Sequence, residues 1–163
     1  MLSVPLTRQH GKVPFADIRI DYSTRWQNVL WRTIESAYRN SPYYEHYCGD
    51  LRKIIYSGTD FIFDLNLRLL SFCLDSLKWS RNLSETSQFE KMVKEPFSDV
   101  RSTITTRNTY IERGFYRPAP YYQVFGSSFE DNLSILDLLF CTGPQAGEVL
   151  MASRELAGTS GID

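Results

Sequence analysis

The one acid inside the most apolar segment of the chain is the first residue whose surroundings could support chemistry. Asp137 lies within Leu133–Phe140, three residues after Ser134 and four before Cys141, and the remaining positions there are apolar. At this spacing the three groups share one face of a helix. Two interpretations follow: a narrow solvated stripe, or a buried carboxylate for which the fold must provide hydrogen-bond donors.

The segment from Arg101 to Pro120 could bind an anion. It shows no hydrophobic period, which indicates a long loop, and it carries four arginines against one acid: Arg101, Arg107, Arg113, Arg117 and Glu112. Guanidinium groups hold phosphate or carboxylate with two parallel hydrogen bonds, so a nucleotide sugar or another anionic small molecule is a candidate ligand. The alternative is a set of solvated charges on a connector. A buried Asp137 would find its donors in Arg101 or in a tyrosine hydroxyl.

Other signatures of chemistry are absent from the sequence. The only two histidines are His10 and His46, and His46 with Cys48 supplies two ligands where a zinc site needs three or four, so no metal and no cofactor are predicted. There is no nucleophile elbow, phosphate-binding glycine loop or dinucleotide fingerprint. The tyrosine clusters could stack on sugar rings, but their spacing favours packing roles: Tyr43, Tyr44, Tyr47, Tyr121 and Tyr122.

The composition is that of a globular protein without a bias toward a charged partner. Of 163 residues, 42% are hydrophobic, and 18 basic against 19 acidic residues give a formal net charge of -1. Nucleic acid is therefore not an expected partner. No apolar run approaches the ~20 residues of a membrane helix and no signal peptide is recognisable, so we expect no membrane span and a cytoplasmic location. Three widely spaced cysteines predict reduced thiols.

Hydrophobic periodicity predicts a helix-rich α+β domain with a small sheet. Apolar residues at helical spacing predict helices that begin at Ser23 or Thr24, at Ser41 and Pro42, at Asp60, at Asp131 or Asn132, and after Gly143. Alternation predicts strands in LSVPL, FADIRID, NLSETSQF and YYQVF. The helix after Asp60 is apolar enough to lie mostly inside. We predict one domain over residues 1–153 and a disordered tail over 154–163.

Five segments, taken in order, resemble the WbqC-like protein family. They are WQNVLWRTIESAYRNSPYYEHY (26–47), FIFDLNLRLL (61–70), DVR (99–101), YYQVF (121–125) and NLSILDLLFCTGP (132–144). The last is the most specific, because an Asn, a Ser, an Asp and a Gly-Pro at those offsets along an apolar helix are hard to meet by accident. The family is known from bacterial gene clusters for O-antigen and other surface polysaccharides, so the resemblance implies a pathway rather than a reaction.

The resemblance also implies a candidate site around Asp137. We expect Asp137 and Asn132, near the apolar helix, to meet Arg101 and Gln123 in a polar cluster. Asp137 is the predicted catalytic residue, and the predicted substrate-binding residues are Asp99, Arg101, Tyr122, Gln123 and Asn132.

Two functions are compatible with this expectation. One is a transferase that uses an activated sugar, with arginines holding its phosphate. The other is a non-catalytic protein-binding or assembly module of the same pathway, favoured by the missing catalytic signatures and by the 14% aromatic content, since aromatic residues are enriched in interfaces.

Family members usually begin with a further segment that carries Gln-Pro and Tyr-Leu-Pro motifs. We therefore expect this chain to be N-terminally shortened relative to the family. Its first strands, near Val4 and Ile18, would then lack a neighbour, and such an open sheet edge predicts a homodimer or poor solubility.

Overall fold

Five α-helices form the regular core of the part of the chain that the computed structural model describes, namely residues 3–8, 11, 13–86, 90–93 and 116–154. They are α1 (Trp26–Tyr38), α2 (Tyr44–Ile55), α3 (Ile62–Ser76), α4 (Ile135–Thr142) and α5 (Ala146–Ala152). Short 3-10 turns occur at Phe15–Asp17, before α1, and at Gly143–Gln145, between α4 and α5. Each α-helix coincides with a segment in which the sequence predicts one.

The central helix is α2, which contacts α1, α3 and α4. Its buried residues are Tyr44, Tyr47, Leu51 and Ile55, so they recur every three or four positions and form one stripe. This confirms the face predicted from periodicity. Because both Tyr44 and Tyr47 lie in the core, they are packing residues and not an exposed aromatic surface.

The buried face of α1 differs from the one that helical spacing predicts, which contains Trp26, Val29, Leu30, Thr33, Ile34, Ala37 and Tyr38. Trp26, Trp31 and Ile34 are buried, whereas Val29 is 61% exposed. Trp31 is larger than Val29, and burying it removes more apolar surface from water. The face of α1 that contains Trp26 and Trp31 is therefore turned toward the core. The guanidinium carbon of Arg52 in α2 lies over the Trp31 ring, 5.6 Å from the ring centre.

The prediction that the third helix lies mostly inside is wrong. Leu65 is its only buried residue, and Leu70 is 47% exposed. This helix packs mainly against α2 and against the Phe15–Asp17 turn. Its other apolar residues lie at the boundary of the core.

The predicted α+β class is also wrong, because the described residues form no strand and no sheet. The described residues contain only three isolated antiparallel bridges, which pair Leu6 with Ile20, Arg19 with Phe61, and Tyr116 with Arg154. The open sheet edge from which a homodimer was predicted is therefore not present in the described residues. The oligomeric state stays a prediction.

Local chemistry explains why the N-terminal pairing does not extend. Thr7 N–H donates to Arg19 C=O at 3.0 Å and Asp21 N–H to Pro5 C=O at 2.9 Å, but Pro5 has no N–H to return. On the other side of this segment, Ile62 N–H donates to Ile18 C=O at 3.0 Å. Since α3 begins at Ile62, pairing ends there.

The described residues of the remaining predicted strands are irregular, and the predicted helix caps are wrong. Residues 82–86 and 121–125 are irregular, and 87–89 lie outside the described residues. Three helices begin without a side-chain cap, after Arg25, Tyr43 and Phe61, so the caps predicted at Ser23 or Thr24, Ser41 and Asp60 are wrong. The cap of α4 is Ser134, not Asp131 or Asn132. None of the described helices is long and apolar enough to cross a membrane.

Candidate functional site

The side chain of Asp137 is fully buried in the first turn of α4, with 0% of its surface exposed. Ser134 begins this helix by accepting a hydrogen bond from Leu136 N–H at 3.3 Å. The next residues along the helix are buried as well, through Phe140, whose exposure is 0%. Of the two interpretations of the sequence, the buried carboxylate is the one that the structure contains.

Neutral groups provide the hydrogen bonds to this carboxylate. The Tyr121 hydroxyl donates to Asp137 Oδ2 at 2.6 Å, and the Gln123 amide donates to the same oxygen at 3.1 Å. On the other oxygen, Cys141 Sγ lies 3.8 Å from Oδ1. A hydrogen bond to a carboxylate is stronger than one between neutral groups, so these bonds offset part of the cost of burial.

Gln123 joins the carboxylate to a closed loop. Its amide nitrogen also donates to Glu130 C=O at 2.8 Å, and its amide oxygen accepts from Glu130 N–H at 2.9 Å. Every hydrogen of the amide is thereby used. An irregular segment stands where a strand was predicted at YYQVF, and the Gln123 side chain closes the loop over residues 123–130 by pairing with the backbone of Glu130.

Two tyrosines near Asp137 are held in their neutral form. Burial and the Asp137 carboxylate raise the pKa of Tyr38 to about 12. Burial and the hydrogen bond to Asp137 likewise raise the pKa of Tyr121 far above its usual value. Both hydroxyls are therefore donors at neutral pH, and neither is a base.

The thiol of Cys141 completes the buried group. Burial and the nearby Asp137 raise the pKa of this thiol, so it is a protonated donor and a poor nucleophile. The buried hydroxyl of Ser41 lies beside it and has no partner within ordinary hydrogen-bonding geometry. We refer to five residues as the Asp137 cluster: Tyr38, Tyr121, Gln123, Asp137 and Cys141.

No basic side chain of the described residues forms an ion pair with Asp137. The ion pairs in this part of the chain join Arg19 to Asp60 and Lys53 to Asp50, all at the surface. Arg101, the predicted partner, and Asp99 lie outside the described residues, so their roles stay predictions. Nor do the described residues bring together three potential metal ligands.

The structure separates the other two predicted binding residues from the carboxylate. Tyr122 is 71% exposed, whereas the carboxylate of Asp137 is fully buried. Asn132 is exposed and has a φ of 53°, a left-handed conformation that asparagine tolerates better than most residues. Of the predicted set, only Gln123 contacts Asp137 in the described residues.

A small cavity borders the Asp137 cluster. Its volume is about 220 Å³, and Tyr121 belongs both to its wall and to the cluster. Hydroxyl and amide groups alternate with aliphatic side chains around it; the polar ones are Tyr116, Tyr121, Asn132, Ser134 and Ser153. Pockets for drug-sized ligands begin near 300 Å³, so this cavity fits a part of such a ligand.

The end of α4 is fixed by a close contact with the start of α2. Tyr43 N–H donates to Phe140 C=O at 2.9 Å, and Gly143 lies directly under the Tyr43 ring with a φ of 56°. A side chain at Gly143 would overlap that ring. The predicted helix stop at Gly143 is confirmed, and the glycine is required on both grounds.

Tyr38 and Ser41 are the members of this region that sequence reasoning missed. Helical spacing places Tyr38 on the apolar face of α1, at its end and next to a polar residue, and predicts no further role for it. Nothing in the sequence places Ser41 beside Cys141. By contrast, the four-residue spacing of Asp137 and Cys141 is a usable signal, and it predicts the contact that the structure contains.

The chain matches one protein family. The model of the WbqC-like protein family matches residues 1–112, more than half of the 163 residues, and the chain therefore belongs to this family. The resemblance inferred from the sequence is confirmed. The matched range includes Tyr38 and Ser41 but ends before Tyr121, so most of the Asp137 cluster lies beyond it. No curated protein and no solved structure matches the chain.

Proposed function

We propose that the chain acts in bacterial surface polysaccharide (O-antigen) biosynthesis and binds an activated sugar there. The observation that carries the proposal is the 2.6 Å hydrogen bond between Tyr121 and Asp137. This bond fixes the Tyr121 side chain in the cavity wall through the Asp137 carboxylate, which is buried from solvent. Membership of the WbqC-like family supports the choice of pathway, through what is expected of that family.

The cavity wall suits a sugar. Tyrosine, serine and asparagine side chains can both donate and accept, as sugar hydroxyls do, and aliphatic residues such as Leu138 and Val149 offer contacts to C–H groups. The phosphates of the activated sugar would be bound by arginines of the segment from Arg101 to Arg117. Tyr116, which lines the cavity, lies next to Arg117 in the sequence.

In the transferase version of this proposal, Asp137 acts through Tyr121. The carboxylate is sealed from the cavity, so it is a positioning residue for Tyr121 in this arrangement, and the predicted catalytic role requires it to become accessible. Transfer would form a bond from an acceptor hydroxyl oxygen to the anomeric carbon of the sugar while the bond from that carbon to the phosphate oxygen breaks. The nucleoside diphosphate would leave with the electron pair of the broken bond, and the proton of the acceptor would pass to water.

One observation favours the second function, a non-catalytic binding or assembly module. Among the described residues that line the cavity there is no Asp, Glu, His, Lys or Arg. General acid–base catalysis relies mostly on such groups within hydrogen-bonding reach of the substrate. A protein that binds the sugar without transferring it needs none of them.

Thermal unfolding with a panel of nucleotide sugars tests the binding. A ligand at about 100 times its Kd should stabilise the protein by about 2.7 kcal/mol and raise the melting temperature. Tyr121→Phe and Arg101→Ala should remove that rise, while the matched controls Tyr122→Phe and Arg32→Ala, both at exposed positions, should keep it. A flat response to the whole panel would contradict the proposal.

A second measurement separates the two functions. Bound donor should slowly release nucleoside diphosphate if the protein is a transferase, and Asp137→Asn should reduce that release. Binding of the donor without release of nucleoside diphosphate would support the non-catalytic module.

A further inference from the structure

A second and larger depression lies on the opposite side of α2. It is a groove between α2 and α3 with a volume of about 720 Å³, within the range of about 300 to 1,000 Å³ that small-molecule sites occupy. The groove and the cavity beside Tyr121 have no lining residue in common. A ligand bound here would therefore not touch the Asp137 cluster.

The floor of the groove is apolar and rigid. Tyr47 is 6% exposed, and its ring meets Phe72 edge to face with the ring centres 6.4 Å apart. Ile54 and Leu67 extend this floor toward the hairpin between the two helices. Aromatic and aliphatic residues that remain partly exposed in a concave surface leave apolar area for a ligand to cover.

Charged groups of both signs form the rim. Arg68 and Asp75 lie seven residues apart on α3, hence on one face of that helix, and Asp50 lies across from them on α2. Asp50 bonds Lys53 at 2.8 Å. The side chains of Arg68 and Asp75 form neither an ion pair nor a hydrogen bond with another described residue, so their polar atoms are available to a ligand.

The mixture of charges limits the class of ligand. Two carboxylates beside one guanidinium disfavour a phosphorylated ligand, since like charges would be brought together. Hydroxyl groups match this rim, because they donate to carboxylates and accept from a guanidinium.

From this lining we infer that the groove between α2 and α3 binds a short neutral oligosaccharide. The C–H faces of its sugar rings lie on Phe72, Ile54 and Leu67, which are partly exposed, and its hydroxyls bond Arg68 and Asp75. The inference goes beyond the proposed function, because it concerns a separate site with an uncharged ligand. It can hold or fail independently of the cavity beside Tyr121.

Chemical-shift mapping on the ¹⁵N-labelled full chain tests the inference. Neutral trisaccharides of glucose, galactose, mannose, rhamnose and N-acetylglucosamine are titrated one at a time, and the backbone amide signals of α2 and α3 are followed. At least one sugar should shift these signals in a saturable way. Arg68→Ala and Asp75→Ala should each raise the Kd for that sugar about tenfold or more, as expected for loss of a hydrogen bond to a charged group.

Two controls make the result specific to the groove. Arg32→Ala removes an exposed arginine from α1 and should leave the Kd unchanged. Tyr121→Phe alters the other site and should also leave it unchanged, which separates this result from the test of the proposed function. The inference is overturned if no sugar shifts the α2 and α3 signals, if Arg68→Ala binds as tightly as the wild type, or if only amphipathic peptides or nucleotide sugars shift them.

Discussion

Two apolar helices of the described residues, α3 and α4, have opposite environments. All residues of α4 from Asp137 to Thr142 are buried, whereas α3 buries only Leu65. Yet α4 contains the buried carboxylate, and α3 contains charged residues that line an open groove. The apolar content of a helix therefore does not determine how deeply it lies.

The neighbours of each helix explain the difference. The rings of Tyr38 and Tyr44 both lie against Phe140 of α4, each with centres 5.3 Å apart. The irregular segment around Gln123 covers the polar face of the same helix. On α3, contacts come mainly from α2 and from the Phe15–Asp17 turn. Burial thus depends on which segments pack around a helix, and α4 receives them on two faces.

The largest expected effect compares two leucines that differ in burial. Leu139→Ala in α4 should lower the free energy of unfolding by about 2 to 5 kcal/mol, because Leu139 is 0% exposed and its removal leaves a cavity. Leu70→Ala in α3 should change it by less than about 1 kcal/mol, since Leu70 is 47% exposed. Urea denaturation measures both. Equal losses would contradict the contrast between the helices.

A second comparison uses the two acids. Asp137→Ala leaves the Tyr121 hydroxyl and one amide hydrogen of Gln123 as unsatisfied donors, at a cost of about 1 to 3 kcal/mol each, so we expect a loss of about 2 to 6 kcal/mol. Asp75→Ala, on the exposed rim of the groove, should change stability by no more than about 0.5 kcal/mol. If Asp137→Ala lowered the free energy of unfolding as little as Asp75→Ala, the Tyr121 and Gln123 donors would not depend on the Asp137 carboxylate.

A smaller effect concerns the start of α4. Ser134 caps the helix through Leu136 N–H, so Ser134→Ala should cost about 1 kcal/mol. The matched change in the turn between α2 and α3, Ser57→Ala, removes a hydroxyl that bonds Thr59 outside any helix and should cost less. Thermal melting of the two variants side by side measures the difference, and a larger loss from Ser57→Ala would refute the assigned cap.

The smallest effect is a dependence on alkaline pH. The pKa of Tyr38 is raised from 10.0 to about 12 in the folded chain, so the folded state retains a proton that the unfolded state loses. The contribution to stability is present in full below about pH 10 and is lost as pH rises toward 12. Between pH 9 and 11, Tyr38→Phe should lose less stability than the wild type. Equal losses of stability in the wild type and in Tyr38→Phe over this pH range would show that Tyr38 is not responsible for the pH dependence.

The sequence could predict features that rest on local periodicity. The buried face of α2 and the helix end at Gly143 are found in the structure. The three cysteines are free thiols, as their wide spacing predicts. The contact of Asp137 with Gln123, which the family resemblance implied, is found as well. The strands could not be excluded from alternation alone, because the missing N–H of Pro5 and the bonds from Gln123 to Glu130 act across the chain. Contacts such as that of Tyr38 with the cluster depend on how helices pack, and no spacing within one helix specifies them.

A double-mutant cycle between Tyr121→Phe and Asp137→Asn tests the central claim most directly, namely that a sealed carboxylate holds Tyr121 in the cavity wall. Urea denaturation of the wild type, both single variants and the double variant gives the coupling between the two side chains. We predict a coupling of about 1.5 to 3 kcal/mol, as for a hydrogen bond to a charged group, while the cycle with Tyr122→Phe should show none. Additive effects of Tyr121→Phe and Asp137→Asn, within about 0.5 kcal/mol, would contradict the account.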